Sequence, residues 1–422
     1  MKRLFLVFTL FGLLVTFGAP ALADAHCMDE LGCVEVGPDE PIVIGAMLSV
    51  SGATSFYGED SRGGVELAIL GRDGMLLGRD IEFVVEDSLC SAEGGQAAAQ
   101  RMAADETIVG IIGTTCSGAA QGALPIISEA GMLMISPSNT SPSLTNDDRD
   151  AGGTYLPGYF RTAHNDLFQG ALGARFAVEV LKVGSLATIH DGDPYTEGLA
   201  VVMANTFGGL NGEVVFQGAV SKGDTDMSAI LTEIAASGPD IVYFPVFVPE
   251  SEFIASQLVN TPGLEDALMM TADGSFSATF AQNTGDAAVG IYMTGPHVSG
   301  DAYDAFLETW REEIDEAGPP SGFHAHAYDG ANLLMDAVEA VAEEMDDGTL
   351  VIGRQALRDA LSSVEAYDGL TGSLTCQAAS PYAGDCATGD ALAVFSITAD
   401  EVSEGNWPPP IVWTPSMASE GY

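Results

Sequence analysis

The chain has 422 residues, of which 60 are acidic and 14 basic, giving a formal net charge of −46, and 47% are hydrophobic. So acidic a surface argues against nucleic acid and anionic membranes as partners, because both need a basic face. The length and apolar content allow two large domains, each with its own core.

The chain opens MKRLFLVFTLFGLLVTFGAPALADAHC. Lys2 and Arg3, the apolar stretch 4–17 and the small residues Ala21-Leu-Ala23 describe a secretory signal peptide over 1–23. The apolar run is short for a membrane span, and no later stretch is long and apolar enough to be one. His26 stands before Cys27, where a lipoprotein signal needs a small residue. The expected product is exported and soluble, that is, periplasmic or extracytoplasmic, with residues 24–40 as an N-terminal extension. Six cysteines in an exported chain imply disulfides. Locality alone pairs Cys27 with Cys33 and Cys376 with Cys386, leaving Cys90 and Cys116, each after a predicted strand.

Strands are predicted over 41–50 and 81–86, with helices over about 60–70 and 92–104. The next stretch, IIGTTCSGAAQGALPIISEAGMLMISPSNTSP, completes a strand begun at 108 and leads into a hydroxyl-rich turn at 113–118. A helix over 119–130 closes on Gly131, suited to a left-handed cap. A strand over 132–135 and a second hydroxyl-rich turn at 136–142 follow. This strand–helix alternation is the pattern of a doubly wound parallel sheet. Both turns then lie at carboxyl ends of neighbouring strands, where such folds bind ligands. Ser117 stands at a helix N-terminus, where free amides and the dipole favour a carboxylate. That these hydroxyls only cap and turn the chain is an equally good reading of the residues alone.

The loop NDDRDAGG at 146–153 fits no Asp-x-Asp-x-Asp-Gly calcium spacing. A second alternating series starts near Arg161: helix 167–183, strand 185–190, the turn Asp191-Gly-Asp-Pro-Tyr195-Thr-Glu-Gly, and a helix to about 207. Strand 212–220, helix 226–237 capped by Gly238, strand 240–245, helix 250–260 and strands 267–272 and 287–294 continue it. Two series of similar size mean two similar lobes. The tail reads as helices 302–316, 323–345 and 352–363, a hairpin 367–382 and a strand 391–398. It is too short for a third domain and is expected to complete the two lobes.

Chemical candidates are few. Gly113-Thr-Thr-Cys-Ser-Gly does not match the Gly-x-Ser-x-Gly of a nucleophile turn, and an exported Cys116 is expected to be oxidised, so no catalytic residue is assigned. His324 and His326 are two apart and point to different helix faces; with no Cys-x-x-Cys pair, no metal site is assigned. No glycine-rich phosphate loop is present, and no cofactor is expected. What remains is a set of strand-end hydroxyls, aromatics and one acid. Hydroxyls and amides suit a carboxylate, and Asp273 with Thr140 suits an ammonium. Tyr57, Tyr195, Phe247 and Phe323 would wall an apolar side chain. Each alone reads equally well as core or turn, but together they fit a neutral zwitterion.

The segments IVIGAMLSVSGATSFYGED, GTTCSGAAQGALPIISEAGMLMISPSNTSPSLT, ATIHDGDPYTEGLA, SGPDIVYFPVFVPE and FHAHAYDGANLL resemble the periplasmic leucine/isoleucine/valine-binding proteins of ABC transporters. The resemblance implies a type I periplasmic-binding-protein fold: α/β, two doubly wound parallel-sheet lobes joined by a three-segment hinge. Lobe 1 would be 41–160 plus 296–383, and lobe 2 161–295 plus 384–422. It implies that Ser117 and Thr140, with the carbonyl of Ser138, hold the ligand's carboxylate and ammonium, and that Tyr195 closes from lobe 2. The family's ammonium-binding glutamate falls on Asp273, a shorter arm. A family tyrosine falls on Phe247, which lacks the hydroxyl. Tyr57 and Phe323 match aromatic or apolar pocket positions, and Cys90–Cys116 matches a family disulfide. The implied function is a monomeric, non-enzymatic receptor that passes a neutral, branched-chain amino acid to an ABC permease and its ATPase. Another small ligand in the same fold, an amide, urea or an aromatic acid, is the alternative.

Overall fold

The computed structural model describes residues 27–377, 382–387, 389 and 391–414. The expected signal peptide and the middle of the expected 367–382 hairpin lie outside the described residues. Two large sheets organise the chain. In the first, the strands run in the spatial order Met75–Leu76, Arg79–Asp87, Ile42–Leu48, Ile108–Gly113, Met134–Ser136, Tyr159–Arg161. All neighbours are parallel except the short edge strand Met75–Leu76. The second has Ile411–Trp413, Leu392–Ser396, Tyr292–Pro296, Leu268–Thr271, Ile241–Tyr243, Ser185–His190 and Glu213–Ala219. Its first two strands are antiparallel additions from the tail, and the other five are parallel.

The same rule orders both parallel sheets. The first strand in the chain lies between the second and the third, so the connections leave in opposite directions from one point. In the first sheet that switch point lies between Ile42–Leu48 and Ile108–Gly113, and in the second between Ser185–His190 and Ile241–Tyr243.

Burial on both faces explains why these strands read as unbroken apolar runs. Ile42, Ile44, Ala46 and Leu48 join one core with the helix His324–Val341. Val43 and Met47, pointing the other way, join another with the helices Ala92–Ala104 and Ser117–Glu129. The second sheet divides likewise, with Ala187, Ile189, Val242 and Phe244 on one face and Leu186, Ile241 and Tyr243 on the other. Each fully buried aliphatic side chain contributes about 1.5–3 kcal/mol relative to exposure.

The chain crosses between the two sheets three times: after Tyr159–Arg161, after Tyr292–Pro296, and before Leu392–Ser396. The tail therefore completes both halves. Helices His324–Val341 and Arg354–Ser362 pack on the first, and Leu392–Ser396 with Ile411–Trp413 extends the second.

Several boundaries differ from those predicted. The first helix begins at Ser55, so that Tyr57 is helical. The helix expected over 323–345 stops at Val341, and Leu350–Gly353, partly assigned to the next helix, is a strand between Cys33–Val36 and Glu343–Glu344. The 24–40 extension, given no element, thus carries a strand. The helix expected over 167–183 is α-helical only to Arg175 and continues as a wider π turn, Phe176–Val180. Helix Ala278–Thr284 and the short strand Tyr159–Arg161 were not predicted. The cysteines pair as locality and resemblance implied: Cys27–Cys33, Cys90–Cys116 and Cys376–Cys386.

Candidate functional site

The switch point of the first sheet builds one wall. The helix Ser55–Leu70 that follows the first strand presents Tyr57 and, one turn on, the fully buried Asp60. Asp60 accepts the backbone N–H groups of Ser321 (2.9 Å) and Phe323 (2.7 Å), which fixes Phe323 at the head of the helix His324–Val341. Beyond Ile108–Gly113, Thr115 Oγ1 accepts the N–H of Ser49 at 2.9 Å, tying two neighbouring strand ends together. The Cys90–Cys116 disulfide ties in a third. Ser117 then opens the helix Ser117–Glu129, with its Oγ accepting the N–H of Ser141 at 3.3 Å. Ser138 Oγ donates to the carbonyl of Thr115 at 2.9 Å, closing a hydroxyl-lined rim at a helix N-terminus.

The second sheet answers with an acid and aromatics. Asp193 caps the helix Pro194–Gly209 by accepting the N–H of Tyr195 at 3.0 Å, which puts Tyr195 in the first turn. Tyr195 donates its hydroxyl to Asp273 Oδ1 at 3.0 Å and accepts the N–H of Gly274 at 2.8 Å. Only glycine fits at 274, because a Cβ there would stand 2.9 Å from the Tyr195 ring. The Phe247 ring lies 5.1 Å from Tyr195 and 6.0 Å from Tyr57. Burial pushes the Asp273 carboxyl up to about 6, opposed by hydrogen bonds from Gln169 and Tyr195. Burial likewise raises both tyrosine hydroxyls well above their usual value, so they are neutral donors at neutral pH.

These groups enclose one cavity, lined by Tyr57, Ser117, Ser138, Tyr195, Phe247, Asp273 and Phe323 of the expected set, and by Thr115, Cys116 and Gly274 in addition. Thr140 is not in its lining. It is fully buried just behind, with its carbonyl accepting the N–H of Asp166 at 3.0 Å. The cavity holds about 10 Å³, room for roughly one water, because the two halves meet across it. Tyr57 donates to the carbonyl of Gly274. Ser141 Oγ donates to the carbonyl of Pro194 at 3.0 Å, and Lys222 Nζ to that of Cys90 at 3.2 Å. A Cβ on Gly118 would lie 2.4 Å from Asp193 Oδ2, so a larger residue there would push the Asp193 carboxylate aside.

Three residues beside the cavity or across the two halves escaped the sequence reading. Asp166 and Gln169, one turn apart in the helix Asp166–Arg175 after the first crossing, are both fully buried. Gln169 Nε2 donates to Asp273 Oδ1 at 2.5 Å and to the Thr294 carbonyl at 3.1 Å. Lys222 latches the halves and lies 5.5 Å from the Phe247 ring centre. The available signal was two polar residues at i, i+3 on an otherwise apolar helix face. An acid in a first helical turn normally reads as an exposed dipole partner.

Two switch-point sheets closing on one another over a shared cavity form the two-lobed architecture of a periplasmic-binding-protein fold. Residues 41–386 match the family model described as "Periplasmic binding protein", and the chain belongs to that family. It is similar to the leucine-, isoleucine-, valine-, threonine- and alanine-binding protein of Pseudomonas aeruginosa, 29% identical over 70% of this chain and 77% of that one. In fold it is similar to a leucine-binding protein from Thermotoga maritima (TM-score 0.74, 23% identity, 89% of this chain and 99% of that one). It also resembles a solute-binding protein from R. palustris in complex with benzoate (TM-score 0.71, 19% identity, 89% and 96%).

Proposed function

We propose that this protein is an exported, non-enzymatic receptor that captures a neutral amino acid of the branched-chain kind and delivers it to an ABC permease and its ATPase. One observation carries the reading: a single small cavity has a hydroxyl rim at a helix N-terminus on one wall and a buried carboxylate, Asp273, on the other. Two poles of opposite preference a few ångströms apart suit a zwitterion, and Tyr57, Phe247 and Phe323 suit its apolar side chain. The names of the Pseudomonas and Thermotoga relatives support the ligand class. Lobe 1 is proposed as 41–160 plus 296–383 and lobe 2 as 161–295 plus 384–422, hinged at the three crossings, with a monomer as the working unit. Ser117 takes the carboxylate end, and Asp273, Tyr195, Thr140 and the carbonyl of Ser138 the ammonium end. Because the cavity in this closed arrangement is smaller than any amino acid, entry requires the halves to part and then to close on the ligand less far than here.

The aromatic walls and the benzoate-bound relative favour an aromatic acid as the second reading, but such a ligand leaves Asp273 without a cation. Melting temperatures measured against the amino acids, urea, short amides and benzoate decide between them. A ligand of the folded state at 100 times its Kd stabilises by about 2.7 kcal/mol. Shifts with Leu, Ile or Val are expected; a shift with benzoate or an amide and none with amino acids overturns the ligand assignment.

A further inference from the structure

A second cavity lies at the second crossing, around Pro296 and His297, and shares no lining residue with the first. Its volume is about 350 Å³, within the roughly 300–1,000 Å³ usual for small-molecule pockets. Both halves build it. Tyr303, Leu307 and Arg311 come from the helix Asp301–Glu313, which packs through Phe306 and Trp310 on Leu67 of the first half. Phe276, Phe395 and Trp407 come from the second. Only a thin wall parts the two cavities. Ser321 Oγ donates across the halves to the Phe276 carbonyl at 3.2 Å, with Phe276 two residues after Gly274 and Ser321 two before Phe323.

The walls are aromatic. The Phe276 ring lies 4.9 Å from both Phe395 and Trp407, and Tyr303 stacks on His324 at 5.7 Å. Surfaces of this kind take a flat ring. The charge is one-sided. The chain has 60 acidic residues and 14 basic ones, yet among the described residues no acid lines this cavity and Arg311 does. Arg62, Arg72, Arg101, Arg161 and Arg175 each hold a carboxylate. Arg311 holds none among the described residues, and its one hydrogen bond there runs from Nη1 to the Leu307 carbonyl of its own helix at 3.3 Å. The ring nitrogens of His324 are taken by Asp60 (3.0 Å) and Tyr303 (2.7 Å). His297, whose pKa burial lowers, has a ring with no hydrogen-bond partner among the described residues. An unspent guanidinium beside a neutral imidazole suits one acid group.

We infer that this cavity is a second binding site, for a flat aromatic molecule bearing one acid group, and that its occupant favours the closed arrangement of the two halves. The ring lies between the Phe276, Phe395 and Trp407 wall and Tyr303, and the acid group meets the exposed Arg311 at the mouth, with His297 as a further donor. Because the walls belong to different halves, parting them takes one wall away, so the ligand binds the closed form better. By linkage, whatever closes the central cavity strengthens this site, and the occupant of this site strengthens the central one by the same factor. The inference goes beyond the amino-acid reading, and the second site stands whichever ligand the central cavity takes.

The experiment is fluorescence titration of the mature protein with 1-anilinonaphthalene-8-sulfonate, an aromatic monoanion that brightens in apolar surroundings, without leucine and with leucine saturating. Saturable binding of one probe per chain is expected, not displaced by leucine and about fivefold tighter in its presence. Leu307→Trp, which fills the cavity from a half-buried helix position, should weaken the probe by about tenfold or more, and Arg311→Gln by about threefold to tenfold. Circular dichroism confirms that both variants are folded. Displacement of the probe by leucine, absence of saturable binding, or wild-type affinity in both folded variants overturns the site. Equal probe affinity with and without bound leucine overturns its link to closure. Failure of the folded wild type to bind any amino acid by calorimetry overturns the function proposed above instead, and the two variants then still decide this site.

Discussion

In the proposed function, recognition turns on Asp273. Its carboxylate is buried against Tyr195 and Gln169, so its charge is worth most to a cation that enters the cavity and least to solvent. Removing one partner of a buried, charge-assisted contact costs about 2–5 kcal/mol. Asp273→Ala is therefore expected to weaken amino-acid binding by about 30-fold or more while leaving a folded protein, as calorimetry and circular dichroism will show. The same burial gives a pH signature without ligand. A carboxyl whose folded pKa is raised keeps a proton that the unfolded chain has already lost, so stability falls as pH rises from the ordinary value of 3.8 through about 6. A plot of melting temperature against pH should fall across that window in the wild type and be flatter in Asp273→Asn. Of these residues, Tyr195 and Ser117 were legible because each follows a recognisable helix-start signal, Asp-Pro-Tyr and the hydroxyl-rich turn. Thr140 was legible in position but not in orientation, since a turn residue's side chain is aimed by its tertiary setting, here a backbone tied by its carbonyl to the N–H of Asp166.

Among the elements, the four strand-to-helix turns at the two switch points supply much of the cavity wall, and Ser138 and Asp273 follow the next strand of each sheet. The turns were readable because strands buried on both faces stand out as apolar runs, and the glycine and hydroxyl clusters between them mark where the chain turns. Short strands such as Tyr159–Arg161 and Leu350–Gly353 left too little pattern to separate from loop or helix, and pairing with neighbours distant in sequence decided them. The latch between elements is Lys222, which reaches from the second half to the carbonyl of Cys90 at the disulfide-tied end of the first. A net hydrogen bond contributes about 0.5–1.5 kcal/mol. Lys222→Met should thus weaken leucine by about threefold to tenfold, chiefly through faster release, measurable by stopped-flow fluorescence. An unchanged release rate would mean the latch plays no part in closure.

At the scale of the whole molecule, the charge of −46 works against the compact state through self-repulsion and keeps copies apart. Screening acts within about 10 Å at 0.1 M salt and 3 Å at 1 M. The ligand-free melting temperature should therefore climb with sodium chloride over that range, while leucine affinity, set inside a buried cavity, changes much less. That the tail completes both halves followed from its length alone. How it divides between them depends on which sheet edges were open, and no local sequence pattern encodes that.

The central claim is that one closed cavity selects a zwitterion by its two poles. Calorimetric titration of leucine beside 4-methylpentanoate, which lacks the ammonium, and 3-methylbutylamine, which lacks the carboxylate, tests it most directly. Leucine is expected to bind, and either analogue to lose about 100-fold or more, since each leaves one buried pole unpaired. Binding of 4-methylpentanoate or benzoate as tightly as leucine would contradict it.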